Sequence, residues 1–408
     1  MSRRRRIAIA LAIGSLMSFG LLELVLRVVF VDDGVLLGGR PLPPFGATTN
    51  PEQREWVARW REGLRTDEPY DGAAEFRMDL GWSMRPSARE GSVRTNALGA
   101  RGSREYPPRP PNGTLRIACF GDSFTWCDEV DYEESWPYRV EFATENVEAI
   151  NFGVGGYGTD QAWLRYRADG RDLGAHVVVI GIMLEDIGRN VNRYRPWYYP
   201  VTPVAFAKPR FRLDERDHLV LVPLPFRSFG DYLDSIADGT VLDSLREHEH
   251  WFGPRPFGAG LVTVRLASAP FAYAARDHAH LWLDRSSEPY RVTLAILEAF
   301  HHEAIADGAR LAPVVVFPTR DDLASRISSG RSYWQGGLDA LRSRGVPTLD
   351  VTEALVAACG IEGPDPDRVF AGGHLDALGN EIVARTILDW LERELPQVGN
   401  TPVIGRRY

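Results

Sequence analysis

The sequence predicts an α/β layered domain, a central parallel sheet covered by helices on both faces. Apolar runs rich in Val and Ile recur at Leu115 to Phe120, Ala149 to Phe152, His176 to Ile182 and Leu311 to Phe317. They are continuous rather than alternating, as in strands buried on both sides. Helical stretches separate them, and strands alternating with helices imply layers with functional residues in the loops beyond the strands' carboxyl ends.

Length and composition set the outer limits. A chain of 408 residues can bury a large core, and 44% hydrophobic with 25% charged residues is ordinary for a globular protein. A net charge of -8 leaves no basic excess to neutralise phosphates, which argues against a general nucleic-acid binder. Cys119, Cys127 and Cys359 are too few for a disulfide scaffold and lack metal-ligand spacing; no metal and no cofactor is expected.

Taken in order, the first element is a membrane anchor over residues 1–31. Arg3 to Arg6 precede an uncharged run from Ile7 to Leu22, and apolar character resumes to Val31 around Glu23 and Arg27. A bilayer core needs about 20 apolar residues, so the run can span it. Glu23 and Arg27 are four apart, on one helical face, where they can pair or snorkel. The arginines should stay cytoplasmic, which expects a single pass with everything after about residue 32 extracytoplasmic (periplasmic). No convincing small-x-small cleavage site precedes Glu23 and the apolar pattern continues past it, so the segment is expected to remain uncleaved.

Residues 32–112, rich in Pro, Gly, Arg and Glu, read as a tether and lead-in with an amphipathic piece near Pro51 to Leu64. The segment closes on the turn-rich Pro107 to Gly113. The main domain is expected over 113–396, interrupted at about 191–290 by an insertion. That insertion carries "VNRYRPWYYPVTPVAF" and a hairpin around Asp214 to Asp217. A helix near Ser287 to Asp307, a short strand near Val346 to Asp350 and a final helix from Asp376 to about Glu394 complete the rhythm before a tail at 397–408.

Chemistry begins at "FGDSFTW", where Ser123 follows the first strand directly. A serine hydroxyl is a weak nucleophile unless a base removes its proton. Of nine histidines, His374 is best placed, between the loop "GPDPDRVFAGGH" and the last amphipathic helix. His176 opens a strand and reads as structural. His218, His248, His250, His278 and His280 lie in the insertion without an obvious partner, and His301 and His302 ride a helix as solvated residues. After the second strand, "INFGVGGYGTDQA" sets glycines at 153, 155, 156 and 158, which let backbone amides approach a developing oxyanion. Its spacing is not that of a dinucleotide fingerprint.

Serine, glycine and histidine blocks in this order resemble the SGNH (GDSL-type) hydrolase superfamily over roughly residues 115–395. "FGDSFTW" is similar to its first block, "NFGVGGYGTDQ" to its second and "GGHLDALGNEIVA" to its last. "RTNALGARGSREYP", Arg94 to Pro107, also resembles the segment before the first block in membrane-tethered bacterial members. The resemblance implies a flavodoxin-like three-layer α/β/α sandwich acting on esters. It implies Ser123 as nucleophile, His374 as base and Gly156 as oxyanion glycine, with Asp122 and Asn190 as further oxyanion or binding candidates. Two blocks depart from the pattern. Where the family has Gly-x-Asn-Asp, this chain reads "GIMLEDIGRN", with Glu185 or Asp186 near the asparagine's place and Asn190 the nearest amide. Where it has Asp-x-x-His, Ala371 stands three residues before His374. The orienting acid could come from Asp365, Asp367, Asp376, Glu185 or Asp186. Spacing does not select among them, and Asp186 is carried as the candidate.

The expectation is a membrane-anchored serine esterase or deacylase whose substrate is an ester or an acylated carbohydrate, with O-acyl transfer to an envelope polysaccharide as a related outcome. The competing expectation is a catalytically silent domain binding a glycan or envelope partner, with Trp197, Tyr198 and Tyr199 as stacking candidates.

Overall fold

The computed structural model describes residues 2–29, 31–32, 35–36, 51–66, 72–199, 202–252, 257–360 and 363–395. The expected tail at 397–408 and most of the stretch from 33 to 50 lie outside the described residues. The chain divides into two compact units. One comprises Pro69–Arg193, Ala207–Phe229 and His278–Tyr408; the other comprises Met1–Glu68, Tyr194–Phe206 and Gly230–Asp277.

The larger unit is built on five parallel strands: β1 (Leu115–Phe120), β2 (Val147–Asn151), β3 (Val177–Met183), β4 (Val314–Phe317) and β5 (Thr348–Asp350). Their order is β5-β4-β3-β1-β2, the flavodoxin-like arrangement with its switch point beside β1. Strand alternation sends the two faces to different helices. Leu115, Ile117 and Cys119 join the core beneath the helices Trp136–Phe142 and Ala377–Glu394, which contribute Trp136, Val140, Val383, Ile387 and Leu391. Phe120 points the other way, stacked on Phe152 at 4.9 Å and edge-on to Tyr166 and to Phe300 of the helix Glu288–Ala306. Helices on both faces make this a three-layer α/β/α fold and explain why the strand runs are continuously apolar.

Two charges lie within these strands, and register pairs them. Arg116 and Glu148 are cross-strand partners on β1 and β2. The fully buried Arg116 Nε donates to Glu148 Oε2 at 2.8 Å and Nη1 to the Leu173 carbonyl at 2.7 Å. His176 accepts the Arg116 backbone N–H at Nδ1 (3.0 Å), in line with a structural role. His301 is buried rather than solvated, its Nδ1 2.7 Å from the Ala312 carbonyl, because its helix face lies against the strand entering the sheet.

Part of the expected lead-in belongs to this unit. Short hairpins pair Ala74–Arg77 with Gly81–Met84 and Arg89–Glu90 with Val93–Arg94. The expected hairpin within the insertion is also present, pairing Arg210–Leu213 with Leu219–Val222.

In the smaller unit, the helix Arg3–Val29 is long and apolar enough to cross a membrane, and a signal sequence meets the same description. Glu23 and Arg27 pair at 3.2 Å, as their spacing expects. The amphipathic piece is the helix Pro51–Thr66, which buries Trp56, Val57 and Trp60, with Trp56 edge-on to Phe206 at 5.1 Å. Trp197 is buried against Tyr194 and Phe252, and Tyr198 lies against Trp251; of the three expected stacking residues, Tyr199 is the one exposed. These aromatics pack the insertion because their flat faces find one another.

Removing one partner of a buried ion pair strands the other. Arg116→Met should cost about 3–5 kcal/mol, and adding Glu148→Leu should recover much of the loss. Urea denaturation of both variants checks this.

Candidate active site

β1 ends at Phe120, and the next residue must be glycine because a Cβ at Gly121 would lie 2.2 Å from Thr125 Oγ1. Asp122 then caps the one-turn helix Ser123–Trp126, its Oδ1 accepting the Phe124 N–H at 2.9 Å. That cap sets Ser123, 5% exposed, at the carboxyl edge of the sheet. The turn closes at Cys127, whose φ of +68° is left-handed and costs a non-glycine residue about 1 kcal/mol or more. Arg101 from the lead-in holds this strained exit. Its guanidinium donates to the carbonyls of Trp126, Cys127 (2.8 Å) and Val130 (2.5 Å), and stacks over the Trp126 ring at 5.2 Å.

His374 arrives from the other end of the chain on a two-stranded hairpin, in which Phe370 and Ala371 pair with Leu375 and His374. The loop is Gly372-Gly373, and Gly372 has φ +61°, a turn that favours glycine. His374 Nε2 lies 2.8 Å from Ser123 Oγ, and its ring packs on Phe124 at 5.2 Å. Its Nδ1 lies 3.5 Å from Glu129 Oε1, and its Nε2 3.8 Å from Asp128 Oδ2. Both carboxylates follow directly from the left-handed exit at Cys127. Burial pushes the Asp128 carboxyl above its usual range, while His374 and Arg101 oppose that shift.

The glycine-rich loop packs on the Ser123 turn through backbone contacts. A Cβ at Gly153 would lie 2.2 Å from Trp126 N. Asn151 Nδ2 donates to the Thr125 carbonyl (2.8 Å), Val154 N to the Gly121 carbonyl (3.1 Å), and Trp82 Nε1 from the lead-in to the Gly155 carbonyl (3.0 Å). Gly156 adopts φ +78°, the left-handed region open to glycine.

Beneath the turn lies a buried charge cluster. Arg189 Nη1 sits 3.8 Å from Asp122 Oδ2 and 3.5 Å from Asp186 Oδ1, and donates to the Tyr157 carbonyl at 3.1 Å. One guanidinium therefore faces both acids and the glycine loop. Burial raises Asp122 to about 6 against the pull of Arg189, and burial with the nearby Asp122 charge raises Asp186 further.

Ser123 and His374 are brought together, whereas Asp186 and Asn190 lie elsewhere. Asp186 is not at His374. Its Oδ2 accepts the Met183 N–H at 3.3 Å, because the residue opens a short helix directly beneath β3. Asn190 is fully buried and donates from Nδ2 to Thr159 Oγ1 (2.7 Å) and Thr293 Oγ1 (2.9 Å), which commits both amide hydrogens to the core. The other acids considered are engaged elsewhere: Asp365 caps Asp367 N, Asp367 pairs with Arg320, Asp376 caps the last helix and Glu185 Oε1 lies 3.4 Å from Arg189 Nη2. His278 meets Asp322 Oδ1 at 2.9 Å. Glu129, Asp128, Arg101 and Arg189 were missed. Asp128 and Glu129 follow the first block by two and three residues, and only the turn at Cys127 shows that they fold back.

No protein-family model matches the chain, and no curated protein matches it. Among solved structures, the chain is similar to one from Bacteroides fragilis NCTC 9343 named as a candidate acylhydrolase. The TM-score is 0.36 at 14% identity, over 71% of this chain and 92% of that one. It is also similar to a chain from Desulfitobacterium hafniense DCB-2 named for the lipolytic G-D-S-L family, with TM-score 0.31 at 11% identity over 69% and 100% of the two chains. A chain from Veillonella parvula DSM 2008, named for the same family, has TM-score 0.30 at 14% identity over 68% and 97%.

Two outcomes follow from the packing. Gly153→Ala should destabilise by about 1–3 kcal/mol, because backbone rather than a flexible side chain opposes the new methyl; a lowered urea midpoint reports it. Asp122 is raised to about 6 from the usual 3.8, so it binds its proton more tightly folded than unfolded. Its contribution is full below about pH 4 and is lost as pH rises through about 6. Relative to Asp122→Asn, which keeps an acceptor for Phe124 N, wild-type stability should fall between pH 4 and pH 7. A difference independent of pH would contradict the raised carboxyl.

Proposed function

We propose that the chain is a serine hydrolase of the SGNH type that cleaves esters, with Ser123 as nucleophile and His374 as general base. The observation that carries this reading is the 2.8 Å approach of Ser123 Oγ to His374 Nε2, made by residues at opposite ends of the domain. A structural serine has no need of an imidazole at that distance on the sheet's functional edge.

In this mechanism Nε2 takes the Ser123 proton as Oγ bonds to the ester carbonyl carbon, whose oxygen becomes the oxyanion. The backbone N–H groups of Ser123 and Gly156 are the proposed donors to it. His374, now imidazolium, gives the proton to the leaving alkoxide, and an acyl-serine remains. Water then attacks with His374 again as base, and collapse returns the acid and the free hydroxyl of Ser123. A sugar hydroxyl in place of water would give O-acyl transfer by the same steps.

Nε2 can accept a proton only if Nδ1 carries the other one, and Glu129 Oε1 at 3.5 Å is the carboxylate facing Nδ1. Glu129 is thus the proposed orienting acid, replacing both Asp186 and the family's Asp-x-x-His aspartate. Ala371 is directly across the hairpin from His374, on the same face, where a carboxylate could also reach the ring. The apolar N-terminal helix supports a tethered enzyme with its catalytic unit outside the cytoplasm, since the arginines at its start favour the cytoplasmic side.

The full chain in detergent should hydrolyse p-nitrophenyl acetate, and Ser123→Ala should lose that activity and its labelling by a serine-reactive phosphonate. Equal turnover by both proteins, or an unlabelled Ser123, would overturn the reading. Glu129→Gln should lower kcat on the order of tenfold, with Ala371→Asp restoring part of it. An unchanged kcat in Glu129→Gln would instead indicate a Ser-His dyad.

A further inference from the structure

A bilayer-spanning helix tolerates a carboxylate only where a partner neutralises it. Glu23, six residues before the end of the helix Arg3–Val29, is 9% exposed. Its Oε1 accepts the Val262 N–H at 2.6 Å, and its Oε2 accepts Thr263 N–H and Oγ1–H at 3.0 Å each. Arg27 pairs with the same carboxylate and donates to the Gly260 carbonyl at 2.5 Å. The first-turn amides of a second helix, Val262–Ala274, are therefore capped by an acid of the first.

This cap sets a depth. Six residues of helix rise about 9 Å, so the second helix starts about that far inside the end of the first. Among the described residues the N-terminal helix is its principal packing neighbour. The second helix, "VTVRLASAPFAYA", has no Asp, Glu or Lys. Its Phe271 is 78% exposed, and Phe257, just ahead of it, is wholly exposed. Thirteen residues rise about 20 Å, too short to cross a hydrocarbon core of about 30 Å but suited to lying at its boundary.

We infer that the helix Val262–Ala274 is a second membrane-contacting element: bilayer lipid covers its exposed apolar residues, and Glu23 holds it at that depth. The occupant is lipid because this surface continues the exposed apolar surface of the N-terminal helix and carries no acidic group. The inference rests on the reading of that helix as membrane-spanning and is independent of the ester chemistry. It would tie the smaller unit to the bilayer at two places.

The test uses the full chain with a single added cysteine carrying an NBD fluorophore, in phosphatidylcholine/phosphatidylglycerol vesicles with brominated acyl chains. Wild type is the blank, since Cys119, Cys127 and Cys359 are buried. Probes at Leu16→Cys in the N-terminal helix and at Phe271→Cys should each be quenched at least twofold. A probe at Phe142→Cys, exposed on the larger unit, should not be. Quenching at 16 without quenching at 271 overturns the inference and leaves the anchor standing; no quenching at 16 overturns both. Adding Glu23→Ala should cut quenching at 271 by half or more while leaving 16 unchanged, and full retention at 271 would refute the docking role of Glu23.

Discussion

The Arg101 guanidinium, held among three backbone carbonyls, is the interaction on which the rest of the site depends. The carbonyls of Trp126, Cys127 and Val130 face inward at the end of a one-turn helix that cannot satisfy its own terminus. One planar cation serves all three. It thereby fixes the left-handed residue Cys127, and with it the direction in which Asp128 and Glu129 leave the turn. Burial lowers the Arg101 pKa from its usual value, and Cys127, Asp128 and Asp131 around it oppose that shift. Its own backbone N–H donates to the Asn151 carbonyl at 2.9 Å, tying the lead-in to the end of β2 as well.

Around this point the structure trades side chains for backbone contact. Gly121, Gly153 and Gly181 each stand where a Cβ would lie between 2.2 and 2.3 Å from the Ser123 turn. The glycine loop can therefore lie directly on the Ser123 turn, and no side chain holds the two apart. A second group of charges, Arg189, Asp122 and Asp186, lies buried below. There burial favours the neutral carboxyls and a single guanidinium opposes it. Close backbone packing above and this buried cluster below fix the turn that carries Ser123.

Much of the architecture was legible in the chain. Continuous Val and Ile runs mark strands covered on both faces, and β1 has the bounds that its apolar pattern suggests. Ser123 and His374 were legible because each lies at an element boundary beside glycine, where sequence pattern and site position coincide. Asn190 misled because an amide close to a motif in sequence can still turn into the core; Thr159 and Thr293, far apart in the chain, decide that it does. Asp186 is also close to a motif in sequence, but its carboxylate takes the Met183 N–H and faces Arg189 instead of His374. Glu129 was hidden because a carboxylate three residues past a helix reads as solvent-facing, and only the left-handed turn at Cys127 brings it back.

By itself, then, the sequence determined the layered α/β class, the apolar N-terminal helix and the two residues that meet at the sheet edge. Local pattern suffices for these, since periodicity and turn chemistry act within a few residues. Only tertiary structure decided which acid faces His374, that Arg101 and Trp82 of the lead-in brace the site, and that Glu23 caps a helix far along the chain. Those outcomes depend on contacts between segments separated by many residues. Burial and backbone hydrogen-bond demand select such partners, and neither leaves a signature in residue spacing.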